Sequence, residues 1–397
     1  MAQNATPSAN RLRIAIFGAR NAGKSTLINA LLGQNAAITS PIPGTTTDPV
    51  NKAAELHPLG PCVFTDTAGF DDEGELGALR IAKTRAVLDS CDIAILVFAS
   101  RGISLELAFA KELDARNIPY IAVLNKTDTL NCPNELAYEI EHALAHTPVI
   151  TRADTGDGID ALRNAIIAAA PHDFGTASIT GHMVSSGDVV VLVMPQDGSA
   201  PKGRLILPQV QTIRDLLDGK CIVMCVTPDE LKSALAALAK PPSLIITDSQ
   251  VFKDVYENKP VGTKLTSFSV LFAKLKGDID AFLRGANAID ALKDGDRVLI
   301  AEACTHNAQD ADIARVKIPK LIHDKISKNL IIDVVSGNDF GDDLYKYALI
   351  IHCGACMFNR RYVMSRIAAA TAANVPITNY GIAIAKLTGI LPYIDLS

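Results

Sequence analysis

The chain has 397 residues, of which 48% are hydrophobic and 20% charged, with a formal net charge of −5. That size and balance suit a soluble protein of two or three domains, and an acidic chain with no Lys/Arg run is a poor candidate for nucleic-acid binding as its main task. No apolar run reaches the ~18 residues of a membrane helix, no basic start and apolar core open the chain, and eight cysteines are too sparse for a secreted disulfide scaffold, so a cytoplasmic protein with reduced thiols is expected.

Residues 1–10 are small and polar and predict a disordered start. Beyond them, strand-like apolar runs alternate with helix-like stretches, the pattern of α/β architecture with parallel sheets. Residues 11–171 read as one domain, with strands at Leu12–Phe17, Cys62–Asp66, Asp92–Ala99, Ile118–Leu124 and Pro148–Ile150. Residues 172–187 are rich in Gly, Ser and Thr and read as a linker. A second domain, 188–262, has strands at Val189–Met194, Cys221–Val226 and Leu244–Thr247, with a helix over Asp229–Lys240. A third, 263–397, has strands at Val298–Ala303, Leu330–Val335, Leu349–Ile351 and Val375–Thr378.

The first strand runs into Gly18-Ala-Arg-Asn21-Ala-Gly23-Lys24-Ser25, and an apolar helix, Thr26–Leu32, follows. This is a P-loop in its required strand–loop–helix setting. The glycines let successive backbone N–H groups turn toward phosphate oxygens, and the helix N-terminus adds its positive dipole end. Lys24 would reach the β- and γ-phosphates, and the Ser25 hydroxyl would ligate Mg²⁺. Asp66-Thr67-Ala68-Gly69 follows a strand; Asp66 would hold Mg²⁺ through water and the Gly69 N–H would sense the γ-phosphate. Asn125-Lys126-Thr127-Asp128 closes another strand. The Asp128 carboxylate can accept the paired N1–H and N2–H of guanine, a donor pair that adenine lacks, while Lys126 packs its stem on the base. Thr46, within Gly44-Thr45-Thr46-Thr47-Asp48, would complete the Mg²⁺ shell with GTP bound. Gly18, Asn21, Gly23, Lys24, Ser25, Thr26, Asp66, Gly69, Asn125, Lys126 and Asp128 thus form a candidate GTP/GDP site, with catalysis resting on Lys24, Thr46 and Gly69. In Arg152-Ala153-Asp154 an Arg replaces the Ser usual in translation-factor-like GTPases, so only the backbone N–H of Ala153 is assigned to the base.

Phe70 follows Gly69, where Ras-like proteins carry a Gln that orients the attacking water; Phe cannot do this. Asn21 resembles the P-loop Asn of the MnmE-like GTPases, which implies a bound K⁺ supplying the charge an arginine finger would otherwise bring.

Cys62, Cys91 and Cys132 read as isolated small residues, and Cys221 and Cys225 as core of one strand, about 13 Å apart along it. The other three fall into two groups: Cys304-Thr-His306 after one strand, His352-Cys353-Gly-Ala-Cys356 after another. If those strands are neighbours, three thiols and two imidazoles converge at a carboxyl edge, where open α/β sheets bind ligands. On spacing alone, structural zinc and an iron–sulfur centre are both open. A GTPase module, a middle α/β module and a terminal Cys-x-His … His-Cys-x-x-Cys module together resemble the HydF family, GTPase maturation factors of [FeFe]-hydrogenase. Gly44–Val50, Asp66–Gly74 and Arg315–Pro319 look like that family's own phrases. The resemblance implies a [4Fe-4S] cluster on Cys304, Cys353 and Cys356, with His306, His352 or Asp310 as a candidate fourth ligand. It also implies a homodimer formed through the middle domain, a two-iron precursor as cargo, and apo-[FeFe]-hydrogenase and the radical-SAM maturases HydE and HydG as partners. A ribosome- or tRNA-directed GTPase, or a GTPase with a structural zinc site, is the competing expectation.

Overall fold

The structure is a computed structural model; it describes residues 8–33, 49–70, 74–171, 174–175, 177–196, 205–303, 313–326, 329–337, 340–341 and 343–396, side chains of 74–78 excepted. The chain divides into two compact units, residues 1–176 and 177–397.

The first unit is built on a six-stranded sheet in the order β2-β3-β1-β4-β5-β6. Its strands are β1 Leu12–Gly18, β2 Val50–Leu56, β3 Gly60–Asp66, β4 Ile93–Phe98, β5 Tyr120–Leu124 and β6 Val149–Ile150. Pairing is parallel except for β2, which runs antiparallel to β3 from Val50↔Asp66 to Leu56↔Gly60. The parallel sheet expected from sequence is present, with one antiparallel edge strand that the sequence reading did not assign. The segment Val50-Asn-Lys-Ala-Ala-Glu-Leu56 lies on a sheet edge with a mixed burial pattern, so it lacks the continuous apolar run of a central strand. β4 is buried at every position. Apolar side chains pack both faces of the sheet, Ile14, Ile16 and Leu27 on one and Phe17, Leu96 and Leu113 on the other.

The second unit holds two four-stranded, wholly parallel sheets. One has the order β10-β9-β7-β8, from β7 Val189–Val193, β8 Ile222–Val226, β9 Leu244–Thr247 and β10 Lys264–Ser267. The other has the order β12-β11-β13-β14, from β11 Arg297–Glu302, β12 Ile331–Ser336, β13 Leu349–His352 and β14 Ile377–Asn379. Because β10 pairs with β9, the middle sheet extends past the boundary expected at 262/263. The expected linker is also partly folded. The Asp215 carboxylate accepts the N–H groups of Ile179 and Thr180 and the hydroxyls of Ser178 and Thr180, and Ile179 and Met183 are buried. Residues 1–7 of the expected disordered start lie outside the described residues, and Ser8–Asn10 form a 3-10 turn.

The two edges of the middle sheet differ. On β10, Leu265 donates its N–H to Asp395 Oδ2 at 2.7 Å and its carbonyl accepts the Asp395 N–H at 2.8 Å. The opposite edge, β8, reads Ile-Val-Met-Cys-Val with Ile222 59% exposed. Cys225 is exposed there rather than buried as expected; among the described residues β8 has a strand neighbour on one side only.

Candidate functional site

Parallel pairing brings the carboxyl ends of β1, β3, β4 and β5 to one edge of the first sheet, and the nucleotide motifs sit there. β1 ends at Gly18 (φ 152°), where a Cβ would meet the Val97 carbonyl oxygen at 2.5 Å. The loop closes at Gly23 (φ 88°), where a Cβ would meet Asn125 Nδ2 at 2.5 Å. Both positions therefore require glycine. Helix Lys24–Leu32 follows, with Leu27, Ile28, Leu31 and Leu32 buried against the sheet.

Asn21, Lys24, Ser25, Thr26, Asp66, Gly69 and Lys126 line one cavity of about 510 Å³. Lys24 is 8% exposed, and its Nζ donates to the carbonyls of Gly18 and Ala19 at 3.0 and 2.9 Å, crossing the mouth of the loop. Ser25 Oγ donates to Asp66 Oδ2 at 2.5 Å. This places the hydroxyl and carboxylate that a P-loop site uses around Mg²⁺ side by side. Asn21 is exposed in the left-handed conformation (φ 60°). Thr46 lies outside the described residues.

The base-reading residues behave in two ways. Asp128 and Lys126 remain accessible, Asp128 with 38% of its side chain exposed. Asn125 does not face outward. It is 1% exposed and ties three loops together: Nδ2 donates to the Ala22 carbonyl at 3.0 Å, while Oδ1 accepts the Thr151 hydroxyl at 3.1 Å and the Ala153 N–H at 3.2 Å. The Ala153 N–H, expected to face the base, is thus engaged inside the protein. Arg152 Nε lies 3.7 Å from Asp128 Oδ1, and its Nη2 is 3.7 Å from Asp154.

Beneath the loop after Asp66, the Phe70 ring lies 4.5 Å from that of Phe109, itself 4.8 Å from Phe17. Phe70 is part of an aromatic stack and holds no water-directing group. Sequence reasoning missed two residues here. Glu106, 3% exposed on helix Ser104–Ala115, accepts the P-loop N–H of Ala19 at 3.3 Å. Thr84, 2% exposed on helix Gly74–Val87, reaches the cavity wall. A lone Glu in an amphipathic helix carries no signal in sequence.

In the second unit the supposed neighbours are neighbours: β11 pairs β13, with Ala301 opposite His352. Cys304, His306 and Asp310 lie outside the described residues. Ala303, which precedes Cys304, donates its N–H to Cys353 Sγ at 3.0 Å, and the Ala355 N–H approaches the same sulfur at 3.4 Å. Ala355 is left-handed (φ 45°), which turns the Cys-x-x-Cys loop. Backbone N–H groups aimed at sulfur suit a thiolate rather than a thiol. Lys276 Nζ, at the end of helix Phe268–Lys276, donates to the carbonyls of Ala355, Cys356 and Phe358 at 3.2, 2.9 and 2.8 Å. Burial lowers Lys276 to about 8 against the upward pull of Cys356 and Cys353; burial pushes the Cys356 thiol up, with Lys276 pulling it down. This donor set fits a soft-ligand metal centre, although among the described residues no three His, Cys, Asp or Glu side chains converge.

His352 does not serve as the candidate fourth ligand in this arrangement. It is 1% exposed, Nε2 lies 3.1 Å from Arg366 Nη1 and Nδ1 lies 2.6 Å from the Cys353 carbonyl. A guanidinium only donates, so Nε2 accepts and Nδ1 carries the proton. Both nitrogens are engaged, and neither offers a lone pair to a metal. Arg366 is itself held between the rings of Phe340 and Tyr362, at 4.6 and 4.5 Å.

Residues 179–277 match the family model for the hydrogen maturase F dimerization domain, and residues 280–394 match that for its tetramerization domain. The chain belongs to the hydrogen maturase F family. Like that family's architecture, it couples these segments to a GTPase domain: residues 13–126 match the model described as a 50S ribosome-binding GTPase. Curated GTPase relatives match part of the chain. The tRNA modification GTPase MnmE of Methylococcus capsulatus is 36% identical over 169 residues, 42% of this chain and 36% of that protein. GTPase Der of Wolinella succinogenes is 34% identical over 171 residues, 40% of this chain and 36% of that protein. The chain therefore spans about a third of the length of these relatives. Among solved structures, the G domain of the T. maritima FeoB iron transporter is 23% identical, covering 40% of this chain and 98% of that one, with a TM-score of 0.31. A variant of Aquifex aeolicus Era bound to GDP.AlF4- is 18% identical, covering 62% and 97%, with a TM-score of 0.35. At such scores the superpositions decide nothing further. Among the described residues, no helix is long and apolar enough to cross a membrane.

Proposed function

We propose that the chain is a cytoplasmic GTP-hydrolysing carrier. It would hold a [4Fe-4S] cluster on Cys304, Cys353 and Cys356 and deliver a two-iron precursor to apo-[FeFe]-hydrogenase, after exchange with the radical-SAM maturases HydE and HydG. One observation carries this reading. A hydrogen maturase F chain with a Mg²⁺-competent P-loop site also has a Cys-x-x-Cys loop whose first sulfur receives the N–H of the residue before Cys304. When bound, the cluster supplies an iron position open to exchange. Around it the chain's own residues, Lys276 among them, hold the cysteine loop. At the other site Lys24 binds phosphate oxygens, Ser25 and Asp66 flank the metal position, and Asp128 selects guanine. Asn21, exposed at the cavity, supports K⁺ as the added positive charge, since Phe70 is committed to packing. The exposed apolar edge of β8 supports homodimerisation.

The test is anaerobic iron and sulfide reconstitution followed by EPR, on wild type and on Cys304→Ser, Cys353→Ser and Cys356→Ser. Each replacement should abolish or cripple cluster assembly, leaving GTP turnover intact. Stoichiometric zinc without iron uptake would replace this reading with a structural zinc site. Activation of apo-hydrogenase by wild type, and its loss in Lys24→Ala with the cluster retained, tests the delivery step.

A further inference from the structure

A lysine buried to 4% exposure normally faces a carboxylate. Among the described residues, the groups within hydrogen-bond reach of Lys276 Nζ are instead three carbonyl oxygens of one loop, those of Ala355, Cys356 and Phe358. A neutral amine has two N–H donors; three acceptors at 2.8–3.2 Å require the ammonium form. Lys276 Nζ also lies over the Phe272 ring, 5.5 Å from its centroid. Arg360 donates from Nη1 to the carbonyls of Leu275 and Gly277 at 2.9 and 3.0 Å. Lys276 thus ties the end of helix Phe268–Lys276 to the Cys-x-x-Cys loop, and Arg360 ties the same helix end to the start of helix Arg360–Ala372.

We propose that Lys276 is a positioning residue for the metal centre: it fixes the Cys353–Phe358 loop in its ligating shape and supplies the buried positive charge opposite an anionic cluster on Cys353 and Cys356. This rests on the cluster reading above. A buried cation is costly unless an anion lies near it, and thiolates carrying an anionic centre supply such a counter-charge. A cation held this close also favours the reduced, more negative state of that centre, so it raises the reduction potential.

The experiment compares wild type, Lys276→Met and Lys276→Arg after anaerobic reconstitution, reading iron per chain, the EPR spectrum of the reduced protein and the midpoint potential from a redox titration. GTP affinity and cooperative unfolding serve as controls for the fold. Lys276→Met should hold several-fold less iron, and its remaining centre should titrate at a more negative potential with an altered EPR signal. Lys276→Arg keeps the charge and should titrate near wild type. If Lys276→Met loses cooperative unfolding, Lys276→Gln replaces it, keeping two N–H donors without the charge; its potential must fall below that of Lys276→Arg. Iron content, spectrum and potential unchanged in the neutral variant overturn the role of Lys276 while leaving the cluster reading intact. A wild type that takes up no iron overturns both.

Discussion

Asn125 is the residue whose removal the structure makes most informative. Its side chain makes three hydrogen bonds, to the Ala22 carbonyl, the Thr151 hydroxyl and the Ala153 N–H, and Asn125 and Thr151 are 1% and 0% exposed. A net contribution of about 1 kcal/mol per bond, plus the cost of buried partners left unpaired, puts Asn125→Ala at roughly 3–5 kcal/mol of destabilisation. The loss should fall on the first unit alone. Urea unfolding followed by a probe in each unit would show the first transition moving to lower urea and the second unmoved. GTP affinity should fall with it, because the P-loop and the Arg152–Asp154 loop lose their common anchor. Asp128→Asn provides the contrast: an accessible side chain, little change in unfolding, and a switch of base preference. An Asn125→Ala protein of unchanged stability with lost GTP affinity would refute the anchoring role and return Asn125 to direct base reading.

The other expectations are narrower. Asp128→Asn should bind xanthine nucleotides in preference to guanine nucleotides in a competition assay; persistent guanine preference would remove Asp128 as selector. GTP turnover should be faster in K⁺ than in Na⁺, and Asn21→Ala should abolish the difference; equal rates in both salts for the wild type would end that assignment. His352 is held down at about 3 by burial and by Arg366, so the unfolded chain takes up a proton near pH 6.5 that the folded chain refuses. Metal-free wild type should therefore lose roughly 1.4 kcal/mol between pH 7.5 and 5.5 that His352→Asn does not lose, read from urea unfolding of the second unit. Ile222→Lys should yield monomers in sedimentation velocity, since the 59% exposed side chain tolerates a charge in the free chain but not across a paired edge.

The nucleotide motifs were legible because each is a structural requirement written in residue types: Gly18 and Gly23 where no Cβ fits, Ser25 in the first turn of the P-loop helix and Asp66 at the end of β3. That the strands leading into the two cysteine groups could be neighbours followed from the parallel α/β pattern, and β11 and β13 are paired. What escaped was long-range. Asn125 lies in a motif usually read for the base, yet its partners come from two other loops. His352 reads as a ligand until the distant Arg366 is placed on its Nε2. β2 and β10 are edge strands without continuous apolar runs, so their pairing is set by neighbours. Lys276 did leave a trace: it follows Phe268 and Phe272 at four-residue spacing, on the buried side of its helix.

The unequal edges of the middle sheet set a limit on growth. Asp395 already satisfies both backbone groups of Leu265 on β10, while β8 is left apolar and open. A sheet sealed on one side accepts a single new neighbour. Two copies meeting β8 to β8 about a twofold axis use up the open edge of each, and neither copy presents a template to a third. Pairing of two copies through β8 would therefore end at two and would not propagate as a filament through this sheet.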